Sequence, residues 1–462
     1  MLLKNKIDKM KSFLKTDNVL AKLEERYCYA KDALNAKIEA KTPDLVVFVE
    51  TIEDVQRIMK YAYEHEIPVI SRGAGTNMVG ACVCTQGGII LNFSKMNKIL
   101  ELNTTNMTAR VQPGVILGDL KLEAERNNLF YPPDPSNYRV STVGGSIAQS
   151  SGGAMSFKYG TTKDYVLSLK IVTADGTLMT LGAETSKDSV GYHLAQLMVG
   201  SEGTLGIIVE ALLKLIPKPE SRKLVVTYFS KTEDAVLAVN KIIEKNIFPA
   251  SIDFLDKNSI TTIEDFLHCG LKTDSNCMLL IDLDGFESSM PEQETKVVSA
   301  LKDSGAKTIV IPNSNEEIEL IWRARRSSFA AATRLAPDVV SDDIIVPRDK
   351  LVQMITKCNE LADKYNLKVC LVGHVGDGNL HPQFVLNLDN DIEFRNYSKA
   401  KAEMYKFAIS LGGTISAEHG IGIEKLPYIE NTIDKSAIEY MKLIKKSFDS
   451  KNILNPDKIF MQ

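Results

Sequence analysis

The amino-acid sequence predicts an α+β protein: a first domain in two parts, one containing a βαβ unit and one mostly β, followed by an α+β domain with an antiparallel sheet. Three observations carry that reading. A strand, a helix and a strand follow one another between residues 45 and 72. From about residue 88 to 217, short apolar runs alternate with glycine clusters. Beyond the proline- and charge-rich "KLIPKPESRKL", helical and strand periods alternate again. The expected organisation is a helical arm over residues 1–40, a first domain over 41–219, a second over 220–425, and a helical segment over 426–462 that returns to the first domain.

The elements follow in order. "LVVFVE" is a short buried strand after Pro43. Thr51 caps a helix whose apolar positions, Ile52, Val55, Ile58, Met59 and Ala62, keep the helical period, with Glu53 and Asp54 in its first turn. "IPVIS" is the next strand and runs into "RGAGTN", which completes the βαβ unit. The stretch from 88 to 217 reads as mostly strand and turn. In the second domain "EDAVLAVNKIIEKN" and "EQETKVVSALKDSG" are helical and "CMLLIDLDG" is a strand. "IEYMKLIKKSFDSKNILNPDKIF" reads as a helix running to Asn455-Pro456.

Composition narrows the function. At 462 residues the chain exceeds one ordinary core. Its 55 basic and 59 acidic residues leave a net charge of −4, so no basic face argues for a nucleic-acid partner. Charges interrupt every apolar stretch, so no membrane span is expected. The N-terminal "MLLKNKIDKMKSFLK" lacks a continuous apolar core and a small-residue cleavage site, which points to the cytoplasm. Seven scattered cysteines argue against a disulfide framework, and none form a CxxC or iron–sulfur run. Cys82 and Cys84, at alternate positions of an extended segment, read as packing residues.

"SRGAGTN" follows a strand, yet "MVGACVCTQGGIIL" after it holds no helix, so a dinucleotide fold is not indicated. No Gly-Lys-Ser/Thr follows either. What remains is an ordinary glycine turn or a nest of backbone N–H groups able to hold phosphate oxygens. Two more loops add weight: "PPDPSNYRVSTVGGSIAQSSGG" and "GSEGTLGII", the latter supplying Glu202, Gly203, Thr204 and Gly206. Three such loops in one domain suit a long ligand with phosphates at one end and a planar ring at the other.

A second signal lies in the histidines. The chain has 6, and His374, His381 and His419 fall in two glycine-bearing loops, "GHVGDGNLHPQF" and "TISAEHGIG". With Glu418, His374 and His381 make a donor set suited to zinc, iron(II) or manganese with positions open for substrate. Spacing alone leaves the alternative that glycine loops display polar residues by chance.

In order and spacing, "SRGAGTN", "PPDPS…STVGGSIAQSSGG…KYG" and "GSEGTLGI" resemble the flavin domain of vanillyl-alcohol-oxidase-type flavoproteins. "GHVGDGNLH" and "AEHGIG" resemble the D-lactate dehydrogenase and glycolate oxidase flavin-subunit branch of that family. The match spans about residue 40 to the C-terminus. The resemblance implies that Arg72, Gly73, Ala74, Gly75, Thr76 and Asn77 hold the pyrophosphate of FAD. It implies that Pro132, Asp134, Ser141, Thr142, Gly144, Gly145, Ser146, Gly203, Thr204, Gly206 and Ile207 line its two ends; Asn455 is counted with them. Some relatives link the flavin through a histidine or cysteine of the first glycine loop; that loop offers neither here, so FAD is expected without a covalent link.

The same resemblance puts the family's metal ligands on His374, His381 and Glu418, and its substrate arginine, in "IWRARRSSF", on Arg325. A metal-chelated 2-hydroxy acid needs a base for its hydroxyl, and His419, kept neutral by a neighbouring cation, is the candidate. Relatives that take longer diacids carry a lysine where "VVSDDIIVP" has Ser341, so lactate or glycolate is expected over 2-hydroxyglutarate. With no cysteine cluster or haem motif in the chain, the electrons are expected to pass to a separate protein or small acceptor; the resemblance implies an electron-transfer flavoprotein, as in related lactate dehydrogenases, over the iron–sulfur partners of glycolate oxidase subunits. A metal-dependent hydrolase and a non-catalytic flavin-binding subunit are the rival classes.

Overall fold

The computed structural model describes residues 2–12 and 14–460. The chain forms two compact units, one of residues 1–151, 161–218 and 418–462, the other of residues 152–160 and 219–417.

Beside a two-stranded pair of Leu129–Phe130 with Ile216–Pro217, the first unit holds two larger sheets. One has the strands Val19–Leu20, Leu45–Phe48, Ile89–Asn92 and Val69–Arg72 in that spatial order, the last three parallel. The helix Ile52–His65 connects them; the Thr51 hydroxyl accepts from the Asp54 amide, and Val55, Ile58, Met59 and Ala62 are buried, as the period predicts. The other sheet is antiparallel, ordered Ile99–Asn103, Thr108–Val111, Ile207–Lys214, Val166–Val172 and Leu178–Gly182.

Three local expectations need correction. Among the described residues the N-terminal stretch is α-helical at Leu2–Lys11 and Leu23–Tyr27, with a single 3-10 turn at Thr16–Asn18, and between them Val19–Leu20 pairs with the open edge at Val46 and Val47. The stretch from 88 to 217 contains helices at Leu117–Arg126 and Val143–Gln149. In the second, "VGGSIAQ", glycines mask the helix, and the Thr142 hydroxyl starts it by accepting from the Gly145 amide at 3.3 Å. The C-terminal helix, Lys435–Phe448, stops well before Asn455. There Asp449 takes the amides of Ile453 and Leu454 at 3.1 and 2.7 Å. The chain then runs extended beside Val69, whose amide donates to Ile453 O at 2.7 Å.

The second unit is organised by one antiparallel sheet. Its order is Thr308–Val310, Ser221–Phe229, Cys277–Gly285, Ser251–Asp256, Lys368–His374, Asn379–Leu386 and Asp338–Ser341, with Ile344–Ile345 also on Asn379–Leu386. On one face Val226, Leu255, Leu280 and Val372 pack with Ile260, Ile263, Trp322 and Ala331 of the helices Lys257–Leu267, Asn315–Arg326 and Ser328–Ala332. Every residue of Ser251–Asp256 and Asn379–Leu386 is buried, so both faces are covered. Polar side chains on such strands must therefore find partners inside the unit.

Candidate functional site

In the first unit the strand Val69–Arg72 ends at a cleft of about 970 Å³. Gly73, Ala74, Gly75, Thr76 and Asn77 line it, with Ser141, Thr142, Gly145, Ser146 and Gly203. Arg72, Gly144 and Gly206 line an adjoining pocket of about 410 Å³. Pro132, Asp134, Thr204, Ile207 and Asn455 lie outside both linings. Asp134 pairs with Lys121 at 3.2 Å, and Lys121 also donates to Pro132 O at 3.4 Å. Thr204 closes a turn on Ser201 O, and Ile207 opens a core strand. Asn455 donates to Ala81 O and Glu202 O at 2.8 and 2.6 Å, tying the C-terminal segment to two cleft loops.

The cleft is built for a ligand. A Cβ on Gly73 would lie 2.1 Å from Thr142 Oγ1, so the first two glycine loops approach more closely than any side chain permits. Ser71 Oγ, Asn137 Oδ1, Ser141 Oγ and Gln149 Oε1 are buried without a hydrogen-bond partner among the described residues, and all four residues line the cleft. Buried polar atoms left unsatisfied are costly, so four around one cavity mark an occupant with many polar groups. The first glycine loop holds no cysteine; Cys82, beyond it, also lines the cleft, and burial pushes its thiol up to about 12.

Glu418 and His419 line this same cleft. Their loop is held by Glu202, a buried residue with φ +52° whose carboxylate accepts the amides of Ile421 and Gly422 at 2.7 and 2.8 Å. Burial raises the Glu202 carboxyl, against the pull of those two amides. Asn77 Nδ2 donates to His419 O at 3.2 Å. Gly420 has φ +86°, and a Cβ there would stand 2.4 Å from Gln149 Oε1 and 2.6 Å from Glu202 Oε1. Glu418 Oε1 lies 3.9 Å from His419 Nε2.

In the second unit the hairpin of Lys368–His374 and Asn379–Leu386 sets Val372 opposite His381 and His374 opposite Asn379. Opposed residues share a face, so His374 and His381 lie diagonally adjacent, with ring centroids 5.2 Å apart. Gly378 makes the turn at φ +96°, where a Cβ would meet Val346 O at 2.1 Å. Asp253, on the neighbouring strand, sits opposite His374. Its Oδ1 is 2.8 Å from His374 Nδ1 and its Oδ2 is 2.7 Å from Arg325 Nε. Burial opposes the Asp253 charge, yet Arg325 and His374 hold the carboxyl below its ordinary range. Of the three arginines, Arg323 is exposed, Arg326 pairs with Glu319 at 3.5 Å, and Arg325 is buried.

Asp343 is the second anchoring carboxylate. It accepts from Asn379 Nδ2, Ser416 Oγ and the Ala417 amide at 2.8, 2.9 and 2.8 Å, and Oδ1 lies 3.8 Å from His381 Nδ1. Glu418 is the next residue in the chain. His374 Nδ1 has the Asp253 carboxylate at hydrogen-bond distance, the arrangement that turns Nε2 toward the ion in metal-binding histidines, whereas Asp343 Oδ1 stands 3.8 Å from His381 Nδ1, beyond hydrogen-bond reach. The donor set His374, His381 and Glu418 fits a divalent ion chemically. Nothing local in the sequence marks Asp253 or Glu202 for these roles, since their partners lie 121 and 219 residues away.

Comparison with known proteins completes the assignment. Residues 43–182 match the FAD binding domain model, and residues 218–459 match the model for FAD linked oxidases, C-terminal domain. The chain is 42% identical to glycolate oxidase subunit GlcD of Bacillus subtilis, over 90% of this chain and 89% of that one. It is 34% identical to D-lactate dehydrogenase of Anaerostipes hadrus (90% and 89%) and 30% identical to D-2-hydroxyglutarate dehydrogenase of Stutzerimonas stutzeri (98% of each). Among solved structures, p-cresol methylhydroxylase with substrate bound superposes with a TM-score of 0.83 at 18% identity, over 99% of this chain and 96% of that one. At that identity the likeness is of fold alone. The glycine-loop cradle and both domain matches lead to one conclusion: the chain belongs to the FAD-linked oxidases, a family of flavoprotein oxidoreductases.

Proposed function

We propose that the protein oxidises D-lactate, or a close short 2-hydroxy acid, to the 2-keto acid, using non-covalently held FAD and a divalent metal on His374, His381 and Glu418. The observation that carries this reading is the arrangement in the second unit: two adjacent imidazoles with a buried arginine on the carboxylate that orients one of them. The relatives' names concern glycolate, D-lactate and D-2-hydroxyglutarate, all 2-hydroxy acids. Bound FAD supplies a hydride acceptor. A bound divalent cation supplies charge that makes a coordinated hydroxyl more acidic.

The chain's own residues do the rest. Arg325 turns Nε to Asp253, and its Nη1–Nη2 edge suits two parallel hydrogen bonds to a substrate carboxylate. His419 accepts the hydroxyl proton on its imidazole. The protonated Cys82 thiol is a poor nucleophile, which favours a flavin held without a covalent bond. Electrons pass to a partner, for which an electron-transfer flavoprotein in the cytoplasm is the proposal, by analogy with lactate dehydrogenases of that kind. Among the described residues no helix is long and apolar enough to cross a membrane. A hydrolase reading gives the four unpartnered polar atoms of the cleft nothing to bind.

Ser341 pairs with Gln383 in the sheet and brings no positive charge for a second carboxylate. Anaerobic titration therefore distinguishes the substrates: D-lactate or glycolate is expected to bleach the flavin at lower concentration than D-2-hydroxyglutarate. The reverse order contradicts the assignment.

The cradle makes its own prediction. Gly73→Ala forces Thr142 off its cap on Gly145, and the purified variant is expected to hold less than about a tenth of the wild-type flavin, a loss on the scale of one cap and one close contact. Wild-type flavin content in the variant would remove the close approach from the argument.

A further inference from the structure

Asp253 has two cationic or proton-donating neighbours and one carboxylate to share between them. Its Oδ1 meets His374 Nδ1 at 2.8 Å and its Oδ2 meets Arg325 Nε at 2.7 Å, with the residue 1% exposed. The strand register fixes its backbone directly opposite His374, so only the side-chain torsions can adjust. With Oδ2 held on the Arg325 guanidinium, the place where Oδ1 meets the imidazole is held as well. The position of the guanidinium therefore sets the plane of the imidazole.

We infer that Asp253 is a positioning residue that couples the substrate-carboxylate site on Arg325 to the metal site on His374, so that each strengthens the other. This rests on the proposed roles of Arg325 and His374. Outer partners of a ligating histidine govern metal affinity by about 10–100-fold, because they hold tautomer and ring orientation. Binding couplings are reciprocal, so a carboxylate on Arg325 that binds better with the metal present must raise metal affinity in turn, and the shared Asp253 is why a change at Arg325 is expected to appear in metal affinity although Arg325 is not a ligand. Arginine suits the task better than lysine here. Its planar guanidinium sets Nε 2.7 Å from Asp253 Oδ2 as an ion pair and has a second edge for substrate, which one ammonium cannot offer.

The test uses the full-length, FAD-loaded enzyme with Mn²⁺ as the probe, titrated by electron paramagnetic resonance without substrate. Arg325→Lys loses the Nε contact while keeping the charge. It is expected to weaken Mn²⁺ binding about fivefold or more and to raise KM for D-lactate. Asp253→Asn, which keeps size but places an amide donor against one of its two partners, is expected to weaken Mn²⁺ binding by about 10–100-fold and to raise KM together. Both variants should retain flavin. Should Asp253→Asn fail to fold, Arg325→Lys decides alone. Wild-type Mn²⁺ affinity in Arg325→Lys overturns the coupling and leaves the metal site standing. A flavin-loaded wild-type enzyme that takes up no Mn²⁺ overturns the metal site and the coupling with it.

Discussion

Replacing His419 with alanine is expected to leave FAD bound and to slow its anaerobic reduction by D-lactate by about 10²–10⁴-fold, the range a positioned general base contributes. The separation of binding from chemistry follows from how the loop is held. Asn77 donates to the His419 carbonyl, and Glu202 takes the amides of Ile421 and Gly422. All three contacts use backbone atoms of the loop and survive truncation of the side chain. The cleft keeps its glycine walls and its polar lining, so flavin content and thermal stability should match wild type. Stopped-flow absorbance reads the reductive step directly. Reduction at the wild-type rate would remove His419 from proton transfer.

The second large effect concerns the metal. Glu418→Ala, or treatment of the wild type with a strong chelator, is expected to remove the ion and to abolish reduction by D-lactate while FAD stays bound. A ligand contributes more than its outer partners do, so the fall in metal affinity should exceed the about 10–100-fold seen for outer partners. The chain offers a reason why Glu418 suits this role. Asp343 fixes the two preceding residues through Ser416 Oγ and the Ala417 amide, and the same carboxyl group lies 3.8 Å from His381 Nδ1. Metal content by atomic emission and activity restored by added Mn²⁺ or Zn²⁺ check the prediction. Unchanged metal stoichiometry in Glu418→Ala would strike it from the ligand set.

How far the sequence speaks depends on the range of the interactions. The helix Ile52–His65 and the strand Cys277–Gly285 were legible because period and cap lie within one segment. The helix Val143–Gln149 was not, since its glycines carry low helical propensity and its start depends on one Thr142 hydrogen bond. The C-terminal helix ends before Asn455, and the segment after it is held by the amides of Ile453 and Leu454 on Asp449 and by Val69 on Ile453 O, contacts that no local period announces. The same division holds at the site. The sequence around His374 and His381 reads as a glycine loop; they lie instead on the paired strands Lys368–His374 and Asn379–Leu386, with only the turn at Gly378 between them, and the hairpin brings them together. Asp253 reaches His374 through the pairing of two distant strands, and Glu202 reaches its loop across more than two hundred residues. Pairings of that range leave no periodic trace in a single chain.

The central claim, metal-assisted transfer of hydride from a short 2-hydroxy acid to the flavin, meets its most direct test in one anaerobic titration. The visible flavin band is followed while D-lactate is added, before and after chelation, with L-lactate as the control. The account predicts bleaching by D-lactate only when metal is present, and recovery on adding metal back. Equal bleaching in the chelated enzyme, with metal shown to be absent, would contradict it.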